Sequence, residues 1–315
     1  MGELLRVVFL GSGDYSRDLL ESLKRDNFEI EAVVTQPDRP AGRGLLMQPT
    51  PVKVTALDMG LTVLGPEDLS DKEFIETLKG FEADLLLVAD YGRILKRQVL
   101  DIPPRGCLNI HPSLLPLYRG AAPIRRALMD GVTVTGVTMM LMDEGLDTGP
   151  IVSQAEIDVG EEEDAGELRK ELARLAAIVI SKDIRRYACG EIAPHPQDES
   201  LATYADVITK SELAVDWSQQ SRSIHNQVRA LSPSPGAYTY YRGKRIKILR
   251  TRLKQGREVL ESGEIMIGGK DTIITGTGGG HLLVELLQPQ GKKVMSAGEF
   301  IRGYLHEGEG FTGAP

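Results

Sequence analysis

The sequence predicts two domains of different class: an α/β N-terminal domain with a mostly parallel sheet, then a small C-terminal β-barrel. Three observations carry this reading. Apolar strand-like runs alternate with helical patterns over residues 1–190, as in an open sheet with helices on its faces. A Pro-containing polar stretch without periodicity follows at 191–206 and reads as a linker. Over 207–315, short alternating strands separated by glycine clusters replace the strand–helix rhythm. The length of 315 residues agrees, since single cores stop growing near about 250–300 residues.

Strand candidates in the first domain are 4–11 (LLRVVFLG), 29–36, 61–64, 83–90, 107–113 and 134–142. Several are apolar on both faces, as buried parallel strands are. Helical spacing occupies Ser16–Asp26, Pro51–Met59, Asp71–Leu78 and Ala121–Met129. A longer helix begins near Glu163, with Leu168, Leu172, Leu175 and Val179 at three- to four-residue steps and Gly190 as its stop. Beyond the linker, Asp216–Leu231 reads as one helix with Ile224, Val228 and Leu231 on its apolar side. AYTYYRGKRIKILRTRLK, EIMIG, DTIITGTG and HLLVELLQPQGKK then supply strands, with a turn at Arg242–Gly243. Several strands in so short a span suggest a barrel of the oligonucleotide-binding (OB-like) kind.

With 41% hydrophobic and 26% charged residues, general disorder is excluded. The net charge of −8 argues, taken whole, against a nucleic-acid partner. Its distribution argues otherwise. Residues 1–206 hold 22 basic and 35 acidic side chains, a net of −13, whereas 207–315 hold 15 and 10, a net of +5. Such asymmetry points to nucleic acid. Cys107 and Cys189 lie far apart with no CxxC spacing, so a disulfide framework, a zinc cluster or any other metal site is not expected. MGELLRVVFLG reads as a first strand rather than a targeting segment, and no apolar run approaches the roughly 20 residues of a membrane span. A cytoplasmic protein with no membrane partner is expected.

GSGDYS (11–16) follows the first strand and opens a helix, and Glu31 falls twenty residues after Gly11. This invites a dinucleotide-binding reading, but the third glycine position is Ser16. A tight strand-to-helix turn explains the glycines more simply.

Chemistry concentrates in CLNIHPSLLPLYRGAAPI (107–124). Asn109 and His111 stand two apart on a strand and so project from one face, near the carboxyl end where open α/β sheets place their sites. Downstream, MDEGLDTGP (142–150) sets Asp147 among Thr148, Gly149 and Pro150. Together these are the parts for acyl transfer to an amine or water: Asn109 to polarise, His111 to accept a proton, Asp147 to orient the ring. Each residue also suits a structural role. A strand-end histidine can be a hydrogen-bonded fixture, an asparagine can satisfy backbone, and an aspartate in a glycine-rich loop can close an Asx-turn. Spacing alone leaves both readings open.

NIHPSLLPLYRGAAPI with MDEGLDTG resembles the methionyl-tRNA formyltransferase family. So do VVTQPDRPAGRG (33–44), PTPVK (49–53), ATYADVITK (202–210), DWSQQSRSIHNQVRA (216–230), PGAYTY (235–240) and GKKVMSAGEF (291–300), in order along nearly the whole chain. The resemblance implies a Rossmann-like catalytic domain and an OB-like tRNA-binding domain. It implies transfer of a formyl group from 10-formyltetrahydrofolate, without metal, to the α-amine of methionyl initiator tRNA. Asn109, His111 and Asp147 fall on the family's catalytic trio. Ser113, Leu114, Leu115 and Pro116 fall on its folate-contacting loop, with Asp90 and Tyr91 on a strand end near the pterin. Arg39 and Arg43 match the loop that reaches the tRNA acceptor end. The chain departs from the family pattern at Leu45-Leu46, where lysines are usual, at Ser12-Gly13 for Thr-Pro, at Asp90 for Ala, and at Ser234 for Trp.

Residues 241–257 hold eight Lys or Arg and no acid. Strict alternation would place Arg242, Lys244 and Ile246 on one face and Arg245, Lys247 and Leu249 on the other. A phosphate track through Arg245 and Lys247 is the expectation, against a merely solvated strand. Two other functions compete. A formyltetrahydrofolate enzyme acting on a nucleotide sugar, or hydrolysing the donor, would not need the basic domain. A non-catalytic RNA-binding module would not need the trio. A monomer is expected, since nothing in the sequence demands an oligomer.

Overall fold

The computed structural model describes residues 5–25, 28–41, 46–256, 260–268, 271–306 and 310–313. These divide into two compact units. The first runs to Pro123 and adds Val134–Ile157 and Arg169–Ala205; the second takes Ile124–Thr133, Asp158–Leu168 and the residues from Asp206 on.

In chain order the first part contains β1 (Val7–Gly11), α1 (Asp14–Arg25), β2 (Ala32–Val34), β3 (Arg39–Ala41), β4 (Leu46–Gln48), α2 (Pro51–Asp58), β5 (Thr62–Leu64), α3 (Lys72–Gly80), β6 (Leu85–Ala89), α4 (Arg97–Leu100) and β7 (Cys107–His111). Then follow α5 (Pro123–Asp130), β8 (Val134–Leu141), β9 (Ile151–Asp158) and α6 (Ala165–Ala188). Seven strands form one sheet in the order β5-β2-β1-β6-β7-β8-β9. The pairs from β5 to β7 are parallel and β8 runs antiparallel to β7, giving the mostly parallel sheet that the strand–helix alternation predicts.

Every residue of β1 and β6 is buried, so these strands read as unbroken apolar runs. Val8, Leu10, Leu86 and Val88 pack with Phe74, Leu78 and Leu95 in one core cluster. Local chemistry marks the helix starts. Thr50 caps α2 by accepting from the Lys53 amide at 3.1 Å, with Pro51 in the first turn, and Asp71 caps α3. Strand order reverses between β1 and β6, so the crevice beside their carboxyl ends is the switch point where such sheets hold ligands.

In this part the hairpin β3–β4, the short helix α4 and the strand β9 go beyond the expected set. The hairpin β3–β4 has three-residue strands, one containing Pro40, too short for any alternation to show. The strand β9 is the last of the sheet, buried at Ile151 and Val152 and then alternating between half-exposed and exposed.

The second unit contains α7 (Ser221–Leu231), β10 (Ala237–Tyr241), β11 (Lys244–Lys254), β12 (Ile265–Ile267), β13 (Ile273–Gly276), β14 (His281–Pro289), β15 (Met295–Ser296) and α8 (Ala297–Gly303). All its strand pairs are antiparallel, in the order β10-β11-β14-β13-β12, with β15 beside β14. Ile246, Ile248, Ile273, Leu282, Val284 and Leu287 meet Ile224, Val228 and Leu231 of α7 and Phe300 of α8 in a single core. Trp217 stacks on Phe311 with ring centroids 5.4 Å apart. The helix starts at Ser221 rather than Asp216, because the Asp216 carboxylate bonds the Ser218 amide and hydroxyl and closes a turn there.

In this unit Arg126 grips Glu212, whose carboxylate also accepts from the Thr209 amide. The Arg126 bond first, and the Thr209 amide next, hold the Glu212 carboxyl down from 4.5 to about 2. A carboxyl lowered by folding contributes stability above its unfolded value, and the contribution is lost as pH falls toward the folded value. Acid sensitivity of the chain is therefore expected to steepen between about pH 4.5 and 2. Glu212→Gln should flatten that part of a urea-midpoint profile against pH; an unchanged profile would remove Glu212 from the account.

The two thiols differ in environment. Burial pushes the Cys107 thiol up to about 12, with the Asp101 charge adding to it, while Cys189 is exposed. A thiol reagent at pH 8 should label only Cys189 in the native chain and both cysteines after unfolding. Fast labelling of Cys107 in the native state would contradict the packing of β7.

Candidate active site

β7 ends at His111, and its register against β8 sets Asn109 opposite Met140 and His111 opposite Thr138. The chain then turns through 112–122, while the loop after β8 returns Asp147 to the same strand end. Gly149 permits that return: a Cβ there would lie 1.8 Å from the Leu141 carbonyl oxygen. Asp147 itself takes a left-handed φ of 54°.

The three sequence-predicted residues meet. Asn109 Nδ2 donates to Asp147 Oδ1 at 3.1 Å, the Gly120 amide donates to Asp147 Oδ2 at 2.8 Å, and His111 Nδ1 lies 3.6 Å from Asp147 Oδ2. His111 is 4% exposed, and its Nε2 donates to the Tyr118 carbonyl at 2.9 Å. Both ring nitrogens thus face oxygens, the Tyr118 carbonyl on one side and the Asp147 carboxylate on the other. Asp147 is no Asx-turn former. That role belongs to Asp143, which accepts from the Gly145 amide and the Thr148 hydroxyl.

The loop Ser113–Pro116 is tied down from beneath. Thr138 Oγ1 donates to the Ser113 carbonyl at 2.7 Å and accepts from the Leu115 amide, and Gln154 Nε2 of β9 donates to the Leu115 carbonyl at 2.8 Å. Ser113 and Leu115 are buried, whereas Leu114 and Pro116 are half-exposed. Tyr91 is likewise buried in the core of the first unit. The side chains of Ser113, Leu115 and Tyr91 thus belong to the packed interior.

A cleft of about 380 Å³ opens at the carboxyl ends of β1, β2 and β6, lined by Ser12, Gly13, Gln36, Arg39, Thr50 and Asp90 among others. None of the trio lines it; Asn109 and His111 sit on β7, the next strand, and Asp147 on the loop after β8. Here Gly13 has a specific reason, since a Cβ would fall 1.8 Å from the Asp90 carboxylate. The Ser12 and Gly13 amides donate to the Asp90 carbonyl. The turn is thus built around Asp90. Arg39 borders the cleft and pairs with Glu67 at 2.9 Å, while Arg43 lies outside the described residues.

In the second unit, Arg245 and Lys247 stand opposite Tyr240 and Tyr238 on the outer side of β10–β11. The Arg245 guanidinium carbon lies 3.9 Å from the Tyr238 ring centre. Strict alternation fails beyond Ile248. A bulge makes Leu249 the extra residue, turning it inward and leaving Arg250 and Arg252 half-exposed and exposed. Arg250 and Arg252 pair with Glu167 and with Glu162 and Glu285. Among the described residues, no carboxylate pairs with Arg245 or Lys247.

Sequence reasoning missed Arg119, Thr138, Gln154 and Gln197. Arg119 is wholly buried between Gln197 and Glu199, which come from the stretch read as a linker. That stretch is bonded back to the first unit: the Arg119 amide donates to Thr203, the Ala205 amide to Arg119, and His195 bridges Ile151.

An open α/β domain with this trio, followed by an antiparallel β domain, is the build of a formyl transferase. Residues 5–184 match the formyl transferase family and residues 207–305 its C-terminal domain. The chain is 43% identical to the methionyl-tRNA formyltransferase of Moorella thermoacetica, over 95% of this chain and 96% of that protein. It is 40% identical to that of Citrifermentans bemidjiense, over 98% and 96%. The sugar 3N-formyl transferase WlaRD, solved in the presence of dTDP and 5-N-formyl-THF, shares the fold at a TM-score of 0.63 and 18% identity, covering 93% of this chain and 100% of that one. The chain belongs to the methionyl-tRNA formyltransferase family. Among the described residues, no helix is long and apolar enough to cross a membrane.

Proposed function

We propose that the chain transfers the formyl group of 10-formyltetrahydrofolate to the α-amine of methionyl initiator tRNA. The observation that carries this is the convergence of Asn109, Gly120 and His111 on the Asp147 carboxylate. Its relatives' names supply the substrate class, and the split charge of the chain agrees with an RNA partner.

The donor brings an already activated carbonyl carbon; the amine nitrogen bonds to it, and its bond to N10 breaks. Asn109 has a second Nδ2 hydrogen beyond the one given to Asp147, and donates it to the formyl oxygen as negative charge grows there. The His111–Asp147 pair takes the proton the amine releases and passes it on toward the departing nitrogen. Leu114 and Pro116, half-exposed above a rigid loop, fit the flat face of a pterin, and the Asp90 carboxylate fits its hydrogen-bonding edge. Arg39 and Arg43 meet the acceptor end, and Arg245 and Lys247 bind phosphates. The catalytic domain covers 1–190 and the tRNA-binding domain 207–315, and the chain acts in the cytoplasm as a monomer.

The test is direct. The protein, 10-formyltetrahydrofolate and charged initiator tRNA should yield formylmethionine on the tRNA. Equal formylation of a nucleotide amino-sugar, or donor hydrolysis without transfer to tRNA, would reject the assignment.

A further inference from the structure

The main buried polar structure outside the trio is the assembly of Arg119 and Gln197, and it joins two members of the trio, His111 and Asp147. Residues 118–120 touch both catalytic partners: the Tyr118 carbonyl receives His111 Nε2, and the Gly120 amide donates to Asp147 Oδ2. Between them, the Arg119 guanidinium turns the other way and gives Nε and Nη2 to Gln197 Oε1 at 3.1 and 2.8 Å. Gln197 then spends both amide hydrogens on the loop of Asp147, donating to the Asp147 and Gly149 carbonyls at 2.8 Å each. The ring closes on itself: His111, Tyr118, Arg119, Gln197, Asp147.

The chemistry fixes the orientation of the amide. A guanidinium only donates, so it must face Oε1; two carbonyls only accept, so they must face Nε2. Glu199 completes the cage, accepting from Arg119 Nη1 at 2.9 Å and Nη2 at 2.7 Å. Arg119 is fully buried and Gln197 is 9% exposed, so this is a built network rather than a surface tangle. A loop that carries a left-handed aspartate needs such bracing if its carboxylate is to stay on His111.

We infer that Gln197 is a positioning residue for formyl transfer: it locks the backbone of Asp147 to the segment that holds His111. The inference rests on the catalytic reading of Asp147 given above. It does not make Gln197 touch substrate.

Gln197→Glu is the discriminating variant. It keeps the acceptor for Arg119 but sets a carboxylate against two carbonyls in place of two donors. The expected result is a kcat lowered at least tenfold, with KM for folate donor and for charged tRNA each within threefold. Arg119→Lys, which loses the two-pronged contact, should act in the same direction and serves if Gln197→Glu does not fold. The decisive arm is Gln197→Glu combined with Asp147→Asn. If Gln197 works through Asp147, the second change adds less than twofold to the loss caused by Asp147→Asn alone. A full tenfold further loss in that background overturns the inference, as does wild-type kcat in Gln197→Glu. If Asp147→Asn alone retains wild-type kcat, the catalytic reading itself falls, an outcome distinct from either.

Discussion

Replacing His111 with alanine is expected to lower kcat by roughly 10²–10⁴, the range for loss of a positioned proton-transfer group. Binding of charged tRNA should stay within about threefold, because the ring is 4% exposed and its partners are Tyr118 and Asp147. The variant should also remain folded. Asp147 keeps Asn109, the Gly120 amide and Gln197 after the ring is gone, and Tyr118 keeps the Thr203 hydroxyl on its amide. Single-turnover formylation with saturating donor isolates the chemical step from product release. A rate within threefold of the parent would strip His111 of its role and leave it the hydrogen-bonded strand-end residue that spacing alone also allowed.

The trio was legible because each member sits where a general rule places chemistry: a strand's carboxyl end, and the glycine-rich turn after the next strand. Two-residue spacing put Asn109 and His111 on one face, and β7 does so. The bracing was illegible for an equally physical reason. Gln197 and Arg119 act through side-chain bonds to backbone and to each other, which leave no hydrophobic period, and a polar stretch with prolines then reads as a connection. A signal existed: a glutamine and a glutamate two apart, in a segment whose neighbours Thr203 and Ala205 pair with the loop beside the site. The strand β9 shows another limit, since IVSQAEID does alternate, yet as an edge strand it lacks the doubly apolar look of β1 and β6. In β11 the failure was of phase. Alternation predicts faces only until a bulge, and Leu249 shows that the extra residue can be apolar, unmarked by glycine or proline.

That change of phase sharpens the expected effect of reversing charge at Arg245 and Lys247 together. The two stand beside tyrosines on the outer side of β10–β11, and among the described residues neither has a carboxylate partner, in contrast to Arg250 and Arg252. Arg245→Glu with Lys247→Glu removes two cations from the proposed phosphate track and inserts two charges of the same sign as phosphate. Affinity for charged tRNA at low salt should fall roughly tenfold to a hundredfold, and the slope of log K against log salt should shrink by about 2, near one per lost phosphate contact. The KM for 10-formyltetrahydrofolate should not move, and kcat at saturating tRNA should stay within threefold, if the role of these residues is the proposed phosphate contact and not the chemical step. The same reversal at Arg250 and Arg252 is the control. Those side chains are engaged with Glu162, Glu167 and Glu285, so reversing them should change the salt slope by less than one. Equal slopes for the Arg245–Lys247 variant and the parent would mean that tRNA passes elsewhere on the chain, and that the basic run serves the strand alone.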